Sequence, residues 1–138
     1  MGSYQIYLRH PDEIPVSLQQ AGQDRLPAAG SDGIGVICHC DNGYAPGEQV
    51  RMMIPLIDDA IDPLGRVDWC QPSQGGYELA IRFQDNDNAM RARMLEQLSH
   101  IYRYRQHVLQ QQQRYLSLDE AALEWIERYA ALFPADHV

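Results

Sequence analysis

Between Arg66 and Phe83 the chain alternates apolar and polar residues on both sides of a turn. Val67 and Trp69 lead in, Tyr77, Leu79, Ile81 and Phe83 lead out, and Asp68, Glu78, Ala80 and Arg82 are interleaved. A period of two sends one set to each face, the pattern of a half-buried strand pair. The stretch from Pro72 to Gly76 supplies the turn, with Gly75 and Gly76 free to take positive φ. The hairpin also divides the chain. The residues before it read as β structure and those after it as helix, so a sheet domain over 1–86 and a helical extension over 87–138 are expected.

Upstream, Met1 to Leu8 is short and mixed and reads as a segment pinned at one end at most. The run Arg9-His10-Pro11-Asp12-Glu13-Ile14-Pro15 holds prolines that forbid helix and suit an extended lead-in to a first strand over Val16–Gln20. Leu26–Ala29 reads as a short strand, and Gly30-Ser31-Asp32-Gly33 as a turn. Ile34 to Cys40 is β-branched and apolar enough for a central strand. Gln49–Ile57 carries Val50, Met52, Ile54 and Leu56 on one face and reads as another. About six short strands with turns between them predict a small barrel or sandwich.

Asp85-Asn86-Asp87-Asn88 offers several N-caps for the helix that follows. No Pro or Gly interrupts Ala89 to Arg114. Apolar residues recur at Met90, Met94, Leu98, Ile101 and Val108, with Leu95, Tyr102 and Leu109 beside them. One long amphipathic helix is predicted, with an apolar stripe longer than a small sheet domain covers. Met94, Leu98, Ile101, Tyr102 and Val108 are the residues expected to meet a partner protein or a second copy. Ser117 with Glu120 makes a capping-box start for a shorter helix. Leu118, Ala121, Ala122, Trp125, Ile126, Tyr129 and Leu132 lie on one face of it, and Pro134 stops it. That helix is expected to fold back on the long one.

The chain has 138 residues and a net charge of -8, which disfavours nucleic acid and anionic membrane as partners. Every basic side chain is Arg, a type suited to bidentate contacts with carboxylate or phosphate. Three cysteines without framework spacing favour a reducing setting, and no apolar run approaches a membrane span. A cytoplasmic, non-membrane protein is expected.

The arrangement resembles a PilZ domain, the bacterial six-stranded barrel of cyclic di-GMP signalling. The resemblance is carried by the Arg-His-Pro-x-x-Ile-Pro lead-in at Arg9–Pro15, the turn ending in Gly35 before Val36, the Gly47–Leu56 strand and the Val67–Phe83 hairpin. It continues into Arg91–Ile101, similar to a subgroup with a helical extension. It implies a six-stranded antiparallel β-barrel followed by the two helices, and a regulatory role in motility, pilus or biofilm control. PilZ receptors carry Arg-x-x-x-Arg on an N-terminal loop and Asp/Asn-x-Ser-x-x-Gly on the barrel. Here Arg9 matches the second Arg, but Gln5 stands at the first. Gly30 replaces the acid, Asp32 replaces the Ser, and Gly35 is kept. One missing Arg removes a charge-assisted contact of roughly 1.5–3 kcal/mol, and Asp32 would repel a dianionic ligand. The expectation is an adaptor acting by protein contact with weak or no cyclic di-GMP binding. The alternative is a receptor with an atypical site built from Arg9 and the Gly30–Gly35 turn.

Each residue also has a plainer reading. Arg9 pairs with Asp12 or Glu13, and Gly35 is a strand glycine that lets a neighbour pack. Cys38 and Cys40 alternate onto one strand face as core residues do, so no metal is expected. The scattered histidines have no nucleophilic partner, so no enzyme activity is expected either. Arg91, Arg93, Arg103 and Arg105, with Glu96 among them, form a solvated helix face.

Overall fold

The structure, a computed structural model, describes residues 6–22, 26–31, 33–58 and 60–129. Six strands precede two helices: β1 (Ile6–Arg9), β2 (Ser17–Gln20), β3 (Ile34–Cys40), β4 (Gln49–Met53), β5 (Leu64–Ser73), β6 (Gly76–Phe83), α1 (Asn86–Gln112) and α2 (Leu118–Tyr129). They form one sheet in the order β1-β3-β6-β5-β4-β2. The β5–β6 hairpin lies at its centre, as the alternation requires. Its turn differs in detail: Gln74 (φ 45°) and Gly75 (φ 81°) take the left-handed positions, while Gly76 already pairs with Ser73. Two consecutive positive φ values match the right-handed twist of a two-residue hairpin.

Several expectations are corrected. Leu26–Ala29 is not a strand; Pro27 within it has no N–H to give a neighbour. The sixth strand is instead β1, from the segment read as loosely held. It pairs parallel to β3, so the sheet is not wholly antiparallel. The strand expected to reach Ile57 stops at Met53, where Pro55 follows and the Ile57 N–H turns back to the Ile54 carbonyl at 2.9 Å.

The sheet is not closed, since β1 and β2 are paired only on their inner sides. It is nevertheless strongly curled. Laid flat, five inter-strand gaps would separate its edges by about 24 Å, close to the roughly 25 Å that the His10–Val16 link reaches when drawn taut. The link is not taut, because the Ile14 N–H bonds the Pro11 carbonyl at 3.1 Å. Side chains from both edges, Leu8 and Leu18, accordingly meet one core with Ile14, Val36, Val50, Met52, Leu79, Ile81 and Phe83.

Helix α1 begins where Asp85 caps it, its carboxylate accepting the Asn88 N–H at 2.9 Å. The face it lays on the core is not the methionine stripe. Ala89, Ala92, Leu95, Glu96 and Ser99 are buried, while Met90 and Met94 are 63% and 41% exposed. On that face Leu95 enters the sheet core flanked by the small Ala89, Ala92 and Ser99, while Met90 and Met94 are turned outward. Helix α2 folds back as expected, with Ala121 and Trp125 packed on Ile101 and Leu98. Its capping box is formed: the Glu120 N–H bonds Ser117 Oγ at 3.1 Å and the Ser117 N–H bonds Glu120 Oε1 at 2.9 Å.

Candidate functional site

Strand register decides which candidate residues meet. Tyr7 pairs with Gly35 and Arg9 with Ile37, and across β3 Gly35 pairs with Arg82 and His39 with Glu78. Since side chains alternate, Tyr7, Arg9, Gly35, His39, Glu78 and Arg82 all lie on the outer face of the sheet, opposite the core. Arg9 and Gly35 thus share a face, two strand positions apart.

That face is already occupied by the chain itself. The Tyr7 ring lies over Gly35, where an added Cβ would stand 2.6 Å from Tyr7 Cδ1 and Cε1. From there the Tyr7 hydroxyl donates to Asp68 Oδ2 at 2.9 Å and accepts from Arg82, which also pairs with Asp68. The Arg82 guanidinium lies 5.2 Å from the centre of the Tyr7 ring. Asp68 reaches this group from a bulge between Val67 and Trp69, where the β5–β6 register shifts. Burial and the bond to Asp68 hold the Tyr7 phenol above its ordinary range, so it stays a donor.

Arg9 pairs with Glu78 at 2.9 Å, rather than with Asp12 or Glu13. It borders an open cleft of about 420 Å³ whose other charged walls are Asp12, Asp41 and Glu78, with His39 engaged at 2.9 Å by the Ser73 carbonyl. One arginine among three carboxylates gives this cleft a negative field. Gly30 is not part of it. Its N–H bonds the Gln84 carbonyl at 2.8 Å and a Cβ there would meet Asn86 Oδ1 at 2.2 Å, so it seats the loop against the start of α1. Asp32 lies outside the described residues.

The proposed interaction residues of α1 divide in four. Leu98 and Ile101 are covered by α2, and Tyr102 packs on the sheet core. Val108 is buried and Met94 remains open. The arginines of α1 make local contacts: Arg91 with Asp87 at 3.4 Å, Arg103 with Glu13 at 3.2 Å, and Arg105 5.2 Å above the Tyr102 ring. Cys38 and Cys40 face the core as their alternation implies, and burial pushes both thiols up.

Sequence reasoning missed the Tyr7–Asp68–Arg82 group and a buried pair formed by His10 and Glu96. Glu96, read as part of a solvated face, is fully buried. A signal for it existed: it falls on the line Ala89, Ala92, Ser99 at helical spacing, the face of small residues that α1 buries.

No family model matches this chain, and no curated protein or solved structure matches it either.

Proposed function

We propose that the chain is a PilZ-type regulatory protein that acts mainly by protein contact, with weak or no binding of cyclic di-GMP. In this reading the curled sheet is the PilZ barrel, left open between the edge strands β1 and β2. It serves as a platform for the helical hairpin, which carries the exposed apolar residues Met90, Met94, Leu123 and Ile126. One observation carries the reading. The surface over Gly35, where the resemblance would seat the nucleotide, is filled by the Tyr7 ring and closed by Arg82 and Asp68. The remaining motif residue, Arg9, is held by Glu78 beside an acidic cleft. A dianionic dinucleotide would have to displace both arrangements, and two carboxylates would then face its phosphates.

Calorimetry with cyclic di-GMP at an ionic strength near 0.15 M tests this, because that salt screens adventitious phosphate contacts. The expected result is no saturable heat, and an Arg9→Ala variant that is silent both in the titration and in stability. Heat saturating at micromolar ligand and abolished by Arg9→Ala would overturn the adaptor reading and establish a receptor with an atypical site.

A further inference from the structure

On the core side of the segment that carries Arg9 lies an ionisable pair that none of the preceding roles uses. His10 and Glu96 are 3% and 0% exposed, and His10 Nδ1 stands 2.7 Å from Glu96 Oε2. The other ring nitrogen, Nε2, stands 2.6 Å from the Ile14 carbonyl oxygen. A carbonyl only accepts, so Nε2 bears a proton and donates it. One further proton then lies in the Nδ1···Oε2 bond, held by the imidazole or by the carboxyl. The other carboxyl oxygen, Oε1, is buried without a hydrogen-bond partner among the described residues, so among them His10 supplies the compensation for Glu96.

We propose that His10 and Glu96 form a proton-dependent latch that fastens residues 10–14, and with them the setting of Arg9, to helix α1. The latch is closed while the pair shares its one proton. Removing that proton leaves a carboxylate facing a nitrogen lone pair at hydrogen-bond distance in a buried site, and the bond becomes a repulsion. The backbone transmits the change. The His10 N–H continues the β1 pairing by bonding the Ile37 carbonyl at 2.9 Å, and the Ile14 N–H closes the turn on Pro11 at 3.1 Å. Arg9 is the next residue and points to the opposite face. The consequence for Arg9 rests on the reading of Arg9 given above, whereas the latch itself does not.

The surrounding charges leave the shared proton in control. From the same segment, Asp12 favours the imidazolium, and Glu13 is engaged by Arg103 at 3.2 Å and His107 at 3.4 Å. On α1, burial and then Arg103 hold His100 low, so it is neutral. On β3, burial pushes the Cys38 thiol far up, so it too is neutral. For His10 burial acts downward, but the bond and charge of Glu96 outweigh it and the net direction is up; burial pushes the Glu96 carboxyl up as well. The upward direction for His10 means that the shared proton is held beyond the ordinary histidine value of 6.5. The folded chain therefore keeps a proton that the unfolded chain has released. The latch is at full strength below pH 6.5 and weakens as the pH rises through the raised folded value.

Hydrogen exchange on the full chain at mildly acidic and at alkaline pH, corrected for intrinsic rates and without nucleotide, tests the latch. In the natural protein the amides of residues 8–14 and of α1 around Glu96 should lose protection together as pH rises above 6.5, by up to about tenfold per pH unit, levelling off once the raised folded value is passed. In Glu96→Gln the amide donates to Nδ1 without a titrating proton, and that pH response should vanish. The same response in both proteins, or opening of one region without the other, overturns the proposal. If Glu96→Gln does not fold, ring ¹⁵N shifts of His10 in the natural protein decide. Nε2 should stay protonated and the ring should titrate above the ordinary histidine value of 6.5; titration at or below it overturns the latch. With no ligand present, neither outcome bears on whether cyclic di-GMP binds.

Discussion

Gly35 separates a ligand-binding glycine from a packing glycine, and the substitution Gly35→Ala decides between them. The new Cβ would stand 2.6 Å from two carbons of the Tyr7 ring, against about 3.5–4.0 Å for an ordinary carbon contact. The ring must therefore shift by about 1 Å, which stretches the 2.9 Å bond from the Tyr7 hydroxyl to Asp68 beyond hydrogen-bond range. Tyr7 belongs to an edge strand and can swing outward, so the loss is capped by what its ring and hydroxyl contribute. A bond to a charged group is worth roughly 1.5–3 kcal/mol, and the stacked guanidinium adds roughly 0.5–1 kcal/mol. Asp68 and Arg82 retain 28% and 16% side-chain exposure, so the lower end applies. The expected destabilisation is about 2 kcal/mol, or roughly 6 °C in Tm for a domain of this size. In a Tyr7→Ala background the clash is gone. There Gly35→Ala should be neutral or stabilising by a few tenths of a kcal/mol, because glycine in a strand carries an entropic penalty. Urea unfolding of the four proteins, followed by far-ultraviolet circular dichroism at matched m-values, measures the coupling. An equal cost in both backgrounds would refute the packing role. A neutral Gly35→Ala in the natural background would return the residue to a ligand-binding role.

The helical hairpin yields two further predictions. Trp125 is 5% exposed and joins Ala121 to Ile101, so Trp125→Ala or Ile101→Asp should release α2 while leaving the sheet folded. Limited proteolysis would then cut at 113–117, with the fragment ending near α1 surviving; simultaneous loss of both parts would refute independent docking. Ser117→Ala removes one half of the capping box and should cost about 1 kcal/mol of local stability. Faster amide exchange confined to the first turn of α2 would register that cost, and unchanged exchange there would count against it.

Local pattern carried much of the architecture. The β5–β6 hairpin, strand β3, the long helix, its capped successor and the return of α2 onto α1 all follow from periods of two and of 3.6 with turn and cap residues between them. The inward set of Cys38 and Cys40 was equally legible, since alternation alone assigns the face. Strand β1 was not. Its few residues carry too little pattern to distinguish a strand from a loose end, and its parallel pairing depends on β3, reached only after a long excursion of chain. The same limit applied to Arg9, whose partner Glu78 is brought near by the intervening strand β3.

The core face of α1 shows why the rest was hidden. Hydrophobicity along the sequence selected Met90 and Met94, yet the helix buries Ala89, Ala92 and Ser99 and takes Glu96 with them. Close approach of a helix to a sheet rewards small volume rather than hydrophobicity, and only the neighbouring surface specifies that. The sequence by itself determined the order and kind of the elements from β2 onward, apart from the strand wrongly read at Leu26–Ala29, because those depend on near neighbours. The tertiary structure decided what each candidate residue does: Gly35 admits Tyr7, Arg9 answers Glu78, and His10 meets Glu96 across the core. Those partners are set by register, curl and burial, which arise only when distant segments share one core.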